Sequence, residues 1–214
     1  MAVVTALHAA PGGRVAVYVD GSLACQAGPS LVARWRLCEG RELDSVALAG
    51  LCRDASTEAV VTDAYRLLGH RARSREELRR RLLQKGHAED AVLDALERLT
   101  ADGLLDDAAF ARAYITDKRE LGGWGAVRIR RGLLALGVEP AAVEAALAAA
   151  AGGEGEELER ATDLLCRKLA LRMPADDSDR RRAYDLLLRR GFPSDVAYAA
   201  VRRWAQAGAP GDIG

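Results

Sequence analysis

A unit of about fifty residues occurs three times in this sequence, and it limits what the chain can fold into. In each copy a glycine follows the second residue of a leucine pair by three positions. A small-then-large apolar pair then returns nine and ten residues after each glycine. The leucine pairs and glycines are Leu82-Leu83 with Gly86, Leu133-Leu134 with Gly137, and Leu187-Leu188 with Gly191; the later pairs are Ala95-Leu96, Ala146-Leu147 and Ala200-Val201. Such a shared spacing is typical of tandem structural repeats.

The repeat predicts three helices per unit. Glycine takes the left-handed conformation that ends many helices, so each glycine indicates a helix stop followed by a turn and another helix. Helix starts are marked by the capping-box spacing of Ser74 and Glu77, by Pro140 after Glu139, and by Ser194. The first helices of the units are predicted near Thr57 to Gly69, Asp107 to Leu121 and Glu156 to Leu171.

The N-terminal segment has a different pattern, which predicts a small α/β appendage. Val15, Val17 and Val19 alternate with other residues before Asp20-Gly21, and Asp-Gly between apolar runs is a strong hairpin signal. The segment from Pro29 to Cys38 predicts a short helix. Asp44 or Ser45 is expected to cap another helix that leads into the first repeat.

The fold prediction is therefore mainly all-α, with tandem three-helix repeats forming an elongated curved rod and a small β-hairpin-containing appendage. The predicted divisions are 1–55 for the appendage, 56–104, 105–153 and 154–207 for the repeats, and 208–214 for a flexible tail.

Composition narrows the function classes. The formal net charge is zero, so any contact with DNA must come from local basic faces. The apolar stretch from Ala141 to Ala151 contains Glu144 and is too short to span a bilayer, and Met1 to Ala10 lacks the charged region of a signal peptide. We expect a cytoplasmic protein with no membrane contact. No nucleophile, phosphate-loop or metal constellation emerges, so we predict a non-enzyme without cofactor or metal.

Basic helices are the candidate binding elements. Arg75 and Arg79, and less directly Arg71, fall on one face at four-residue spacing. A flexible turn, Gly122 to Gly125, places an aromatic residue before a second arginine-rich helix. The candidate partner- or DNA-binding residues are Arg71, Arg75, Arg79, Arg80, Trp124, Arg128, Arg130, Arg131, Arg181 and Arg182. The alternative is that these arginines pair within the protein or are solvated, and that Trp124 packs between repeats.

One combination of motifs resembles the RecX family. It consists of Leu105-Asp106-Asp107 with Phe110-Ala111, the Gly123-Trp124-Gly125 turn, Arg128-Ile129-Arg130, and a leucine-rich helix closed by Gly137. The segment from Ser74 to Leu82 is similar to that family's first repeat, and the Asp20-Gly21 hairpin is similar to the N-terminal extension of its longer members. The resemblance is strongest from about Tyr65 to Leu147.

The resemblance implies a protein without a catalytic centre that binds along or within the groove of a RecA filament on single-stranded DNA. It also implies inhibition of strand exchange, coprotease activity and ATP turnover, and hence modulation of recombinational repair and the SOS response. We expect a monomer. The alternative is a sequence-nonspecific DNA-binding helical module that acts without a recombinase. Three residues depart from the family pattern: Gly132 stands where glutamate is common, Gly125 where proline is frequent, and His87 where an aromatic or aliphatic residue is usual.

Overall fold

The computed structural model describes residues 1–153, 155–169 and 176–206. The chain divides into two compact units, residues 1–106 and 107–214. The predicted tail 208–214 and the predicted helix end at Leu171 lie outside the described residues. Within the described ranges, no helix combines the length and the apolar character needed to cross a membrane.

The first unit begins with a four-stranded antiparallel sheet in the order β3-β2-β1-β4. Asp20 and Gly21 both have positive φ, 49° and 83°, and form the tight turn of the predicted hairpin between β2 and β3. The flanking strand β1 was not predicted, because its alanine-rich sequence lacks the β-branched alternation of β2. The strands are β1 (Ala2–Ala10), β2 (Arg14–Val19), β3 (Ser22–Ala27) and β4 (Glu42–Leu43), and helix α1 (Pro29–Arg34) follows β3.

A single long helix, α2 (Ser45–His70), connects the sheet to the first repeat. Asp44 caps it by accepting a 2.7 Å hydrogen bond from the Ala47 N–H, as predicted. The prediction of a separate repeat helix beginning near Thr57 was wrong, because α2 continues through that point. The Thr57 hydroxyl donates a 3.0 Å bond to the Arg53 carbonyl inside the helix, rather than capping a new one.

The three repeats show the predicted helix, turn and helix around each marker glycine. Gly86, Gly137 and Gly191 all have positive φ, between 82° and 87°. Repeat 1 consists of the end of α2 with α3 (Arg75–Gln84) and α4 (Glu89–Ala101). Repeat 2 consists of α5 (Asp107–Glu120), α6 (Ala126–Ala135) and α7 (Pro140–Ala149), and repeat 3 of α8 (Glu156–Lys168), α9 (Asp177–Arg190) and α10 (Ser194–Gln206).

Each repeat has its own core, which contains the first leucine of the marker pair and the later apolar pair. The first leucine of every pair is fully buried, whereas the second is only partly covered. Leu134 and Leu188 are 42% and 41% exposed. The mainly helical fold with a small N-terminal α/β region is therefore confirmed.

Candidate interaction surface

Glu77, buried in the first turn of α3, holds two of the basic side chains around that helix. Its backbone N–H donates a 3.1 Å bond to the Ser74 hydroxyl, which confirms the predicted cap. Its carboxylate accepts a 2.9 Å bond from Arg71 Nη1 and another bond from Arg73. Burial alone would raise the pKa of Glu77, but the hydrogen bonds and charges of Arg71 and Arg73 outweigh it, so the pKa is lowered.

Arg71 does not share a helical face with Arg75 and Arg79, so that prediction was wrong. It ends α2 with an extended backbone, φ −168° and ψ 160°, whereas α3 begins only at Arg75. Four-residue spacing places side chains on one face only within a continuous helix. Arg71 instead reaches forward to the Glu77 carboxylate.

The three predicted arginines on α3 have partners within the first unit. Arg75 donates a 2.9 Å bond to the Thr100 hydroxyl of α4. Arg79 pairs with Glu89. Glu76 Oε1 lies 3.5 Å from Arg79 Nη1 and 3.6 Å from Arg80 Nε. Two of these three arginines thus contact carboxylates of the same unit, and the third bonds to a hydroxyl.

Trp124, by contrast, is surrounded by cations. The Arg128 guanidinium lies 4.1 Å from its ring centroid and the Lys118 ammonium 5.3 Å, both within the range of cation–π attraction. The Tyr114 ring packs edge-on at 6.5 Å. Sequence reasoning missed Tyr114 and Lys118, although their spacing of four residues on α5 places both on one face.

The glycine turn around Trp124 joins repeat 2 to repeat 3. The Gly125 N–H donates a 2.9 Å bond to the Arg190 carbonyl, and the Val127 N–H donates a 3.0 Å bond to the Gly191 carbonyl. A Cβ on Gly125 would lie only 2.5 Å from the backbone nitrogen of Phe192. The close approach of α6 to the end of α9 therefore requires glycine at this position.

Two of the departures from the family pattern have structural reasons. Proline at Gly125 would lack the N–H that bonds to Arg190. Gly132 lies inside α6, where a Cβ would collide with the Tyr114 hydroxyl and come within 3.2 Å of the ring carbon that bears it. Glycine at both positions serves packing, and α6 is continuous through Gly132.

The predicted arginines of α6 differ in their availability. Arg130 forms a bidentate pair with Glu144 of α7, at 2.6 and 2.8 Å. Arg128 covers Trp124 and donates a 3.1 Å bond to the Arg189 carbonyl, but neither it nor the exposed Arg131 pairs with a carboxylate of the described residues. We call Trp124, Arg128 and Arg131 the junction surface.

On α9, the two predicted arginines also differ. Arg182 lies 3.6 Å from Asp179 and remains 78% exposed, which makes the pair weak. Arg181 is exposed and pairs with no carboxylate in the described parts of the chain. It faces a cleft between α9 and α10.

His87 has a structural partner. Its Nε2 lies 2.9 Å from Asp63 Oδ2, and the other carboxylate oxygen, Oδ1, lies 3.0 Å from the Lys85 ammonium. Among the described residues, no group of three or more histidine, cysteine, aspartate or glutamate side chains is arranged to hold a metal ion.

The tandem three-helix units define the class of a helical-repeat protein. Three family models match the chain: RecX, first three-helix domain, over residues 62–99; RecX, second three-helix domain, over 106–147; and RecX, third three-helix domain, over 155–201. The third match agrees with the repeat predicted mainly from internal spacing.

Similar proteins point to the same family. The Regulatory protein RecX of Xanthomonas axonopodis pv. citri (strain 306) is 42% identical over 142 residues, which cover 66% of this chain and 85% of that relative. The protein of the same name from Stenotrophomonas maltophilia (strain K279a) is 36% identical over 153 residues, covering 72% and 91%. The chain belongs to the RecX family of regulatory proteins.

Solved structures support the fold. A crystal structure of regulatory protein RecX matches with a TM-score of 0.70 at 24% identity, covering 95% of this chain and all of that one. The RecX structure from Lactobacillus salivarius matches with a TM-score of 0.61 at 18% identity, covering 71% and 97%.

Proposed function

We propose that this chain binds the filament of a RecA-type recombinase on single-stranded DNA and inhibits its activities, so modulating recombinational repair and the SOS response. It acts by binding and not by catalysis, as a cytoplasmic monomer without a cofactor. Membership of a family of regulatory proteins supports this proposal.

The junction surface is the proposed main contact. Trp124 is half-buried against the core of repeat 2 and supports Arg128, and neither Arg128 nor Arg131 has a carboxylate partner among the described residues. Arginine and tryptophan are the side chains most enriched among residues that dominate binding energy. Arginine also suits both acidic protein surfaces and phosphates, which a protein filament on DNA presents together.

Five of the other predicted arginines are less suited to bind a partner, because they already have partners within the chain. Arg71, Arg79, Arg80 and Arg130 pair with carboxylates of the same chain, so a partner would have to replace those pairs. Arg75 bonds to Thr100. We propose that these side chains mainly stabilise their own repeats.

The test is ATP hydrolysis by a cognate recombinase on single-stranded DNA, titrated with this chain well below the recombinase concentration. The wild-type chain should inhibit at these ratios, and the R128A/R131A variant should need at least about tenfold more protein, since a residue that dominates binding contributes about 2 kcal/mol or more.

A matched control removes the same charge elsewhere on the second unit. Arg112 and Arg203 are exposed and form no ion pair with described residues, so R112A/R203A should inhibit like the wild type. No inhibition by the wild-type chain, with growing or preformed filaments, would overturn the proposed function. Equal loss in both double variants would overturn the assignment of the junction surface.

A further inference from the structure

The third repeat contains a cleft between α9 and α10 that has basic and aromatic walls. Its volume is about 440 Å³. Tyr184 and Tyr198 line it together with Arg180, Arg181 and Arg202, and its apolar lining includes Val201. None of the described residues that line it carries a carboxylate.

The same place in repeat 2 is closed by an ion pair. Counted from the marker glycines, Tyr184 and Tyr198 correspond to Arg130 and Glu144, seven residues before and after Gly137. Arg130 and Glu144 form a bidentate pair that joins α6 to α7. In repeat 3 two tyrosines replace the pair, so the groove between the helices has aromatic faces instead of a closed salt bridge.

Repeat 1 differs in charge at the corresponding positions. Arg181 and Arg202 of repeat 3 correspond to Glu76 and Glu97 of repeat 1, ten residues before and eleven after the marker glycine. Two acidic positions are therefore basic in repeat 3. This reversal gives the third groove a positive lining that favours an anionic occupant.

The aromatic and cationic groups of the cleft are accessible. Tyr198 is 61% exposed, and the Arg202 guanidinium lies 5.9 Å from its ring centroid. Arg180 lies 3.1 Å from Asp177, whereas Arg181 and Arg202 form no ion pair with a carboxylate of the described residues. An open ring beside two available guanidinium groups can contact a flat apolar group and the anions on either side of it.

We propose that this cleft binds single-stranded DNA, with one base stacked on Tyr198 and the neighbouring phosphates bound by Arg181 and Arg202. Binding to single strands without sequence preference combines aromatic stacking with cations that follow the backbone. A peptide whose only side chains are acidic would use the arginines but would have no flat ring to stack on Tyr198. A duplex would not serve, because its bases are stacked on each other and cannot enter the cleft.

The choice of DNA over RNA rests on the proposed function, which places the chain beside single-stranded DNA. The cleft itself requires no recombinase, so its test uses the purified chain alone. Loss of oligonucleotide binding and loss of filament inhibition are therefore separate results.

The experiment measures the fluorescence anisotropy of a labelled ten-nucleotide oligo-dT with the full chain. Y198L keeps an apolar side chain, as repeat 1 has in Leu93, but removes the ring. It should weaken binding by about tenfold, whereas Y198F should bind like the wild type, because stacking needs only the π-face.

The phosphate contacts are tested separately. R181A/R202A should weaken binding and make its logarithmic salt slope about 1.4 shallower, since single strands lose about 0.7 per phosphate contact. R112A/R203A is the charge-matched control.

A second readout locates the base directly. An oligonucleotide containing 5-iododeoxyuridine should crosslink under ultraviolet light to the peptide that contains Tyr198. Wild-type affinity in both Y198L and R181A/R202A would overturn the proposal. So would equal displacement by a ten-residue glutamate peptide with no effect of Y198L, which would make the cleft an acidic-peptide site.

Discussion

Helices α3 and α6 occupy the same place in successive repeats, yet they use their arginines differently. Two of the four arginines of α3, Arg79 and Arg80, lie beside Glu76 or Glu89, and Glu77 binds Arg71 and Arg73 just before the helix. On α6 only Arg130 has a carboxylate partner among the described residues. The helix with more arginines therefore also has more of them in ion pairs. Counting basic residues overestimates a binding surface when carboxylates of neighbouring helices lie within reach.

The largest expected effect comes from removing the buried carboxylate of α3. E77A leaves Arg71 and Arg73 without their partner, and Arg73 has a side chain that is only 10% exposed. Breaking such a buried pair costs about 3–5 kcal/mol, so the free energy of unfolding in urea should fall by that amount.

The matched change in repeat 2 is E144A, which removes the partner of the exposed Arg130. Its cost should be much smaller than that of E77A, because both side chains of this pair are exposed to solvent. Similar losses for E77A and E144A would contradict the difference drawn between the two helices.

Helices α3 and α6 differ in the residue at the N-cap. Ser74 caps α3, and Gly125 stands at the corresponding position of α6. Serine is ordinarily the better cap, but in G125S its Cβ would meet the Gly191 carbonyl and the Phe192 nitrogen. We expect a loss of about 1–3 kcal/mol in the free energy of unfolding, as for other overpacked sites. A stabilised G125S variant would show that α6 does not depend on this close contact.

Acid should affect the first unit through Glu77 and Asp63. For Asp63, burial raises the pKa, but hydrogen bonds and charges of Lys85 and His87 outweigh burial, and the pKa is lowered. The pKa of Glu77 is likewise lowered, by Arg71 and Arg73. A lowered pKa in the folded state contributes stability that is complete above the unfolded value of about 4 and is lost as pH falls through the folded pKa.

Amide hydrogen exchange of residues 57–101 should therefore accelerate as pH falls below about 4, after correction for intrinsic exchange. E77Q should make this dependence shallower, because glutamine does not titrate. An unchanged pH dependence in E77Q would exclude Glu77 as its source.

The smallest effect is expected at Gly132 of α6, which corresponds to Arg81 of α3 when the repeats are aligned on their marker glycines. Alanine gains about 1 kcal/mol over glycine inside a helix, but in G132A the new methyl would meet the Tyr114 hydroxyl. G132A alone should gain little or lose stability. In a Y114F background, where the hydroxyl is absent, it should stabilise by about 0.5–1 kcal/mol. Equal effects in both backgrounds, measured by thermal unfolding, would show that the hydroxyl does not restrict this site.

Much of the fold was predictable because its signals are local. Ser74 caps α3 and the Asp20-Gly21 turn forms the hairpin, since both depend on residues close in sequence. The continuity of α2 was not predicted, because Thr57 also suits a helix start and only the long-range packing decides.

The candidate site was less predictable than the fold. Glu89 and Glu144 lie ten and fourteen residues from the arginines they bind. Helical periodicity does not predict contacts between side chains that lie on different helices. Tyr184 and Tyr198 were missed as well. An alignment of the three repeats on their marker glycines could have identified them, because the two tyrosines occupy the positions that hold an ion pair in repeat 2.

The most direct test of the account is the affinity of the chain for a preformed recombinase filament, with R128A/R131A compared with R79A/R80A. Both variants remove two arginines, one pair from the junction surface and one from the carboxylate-paired face of α3. The account predicts at least about tenfold weaker binding for R128A/R131A and binding within about twofold of wild type for R79A/R80A. The reverse order, or equal losses, would contradict it.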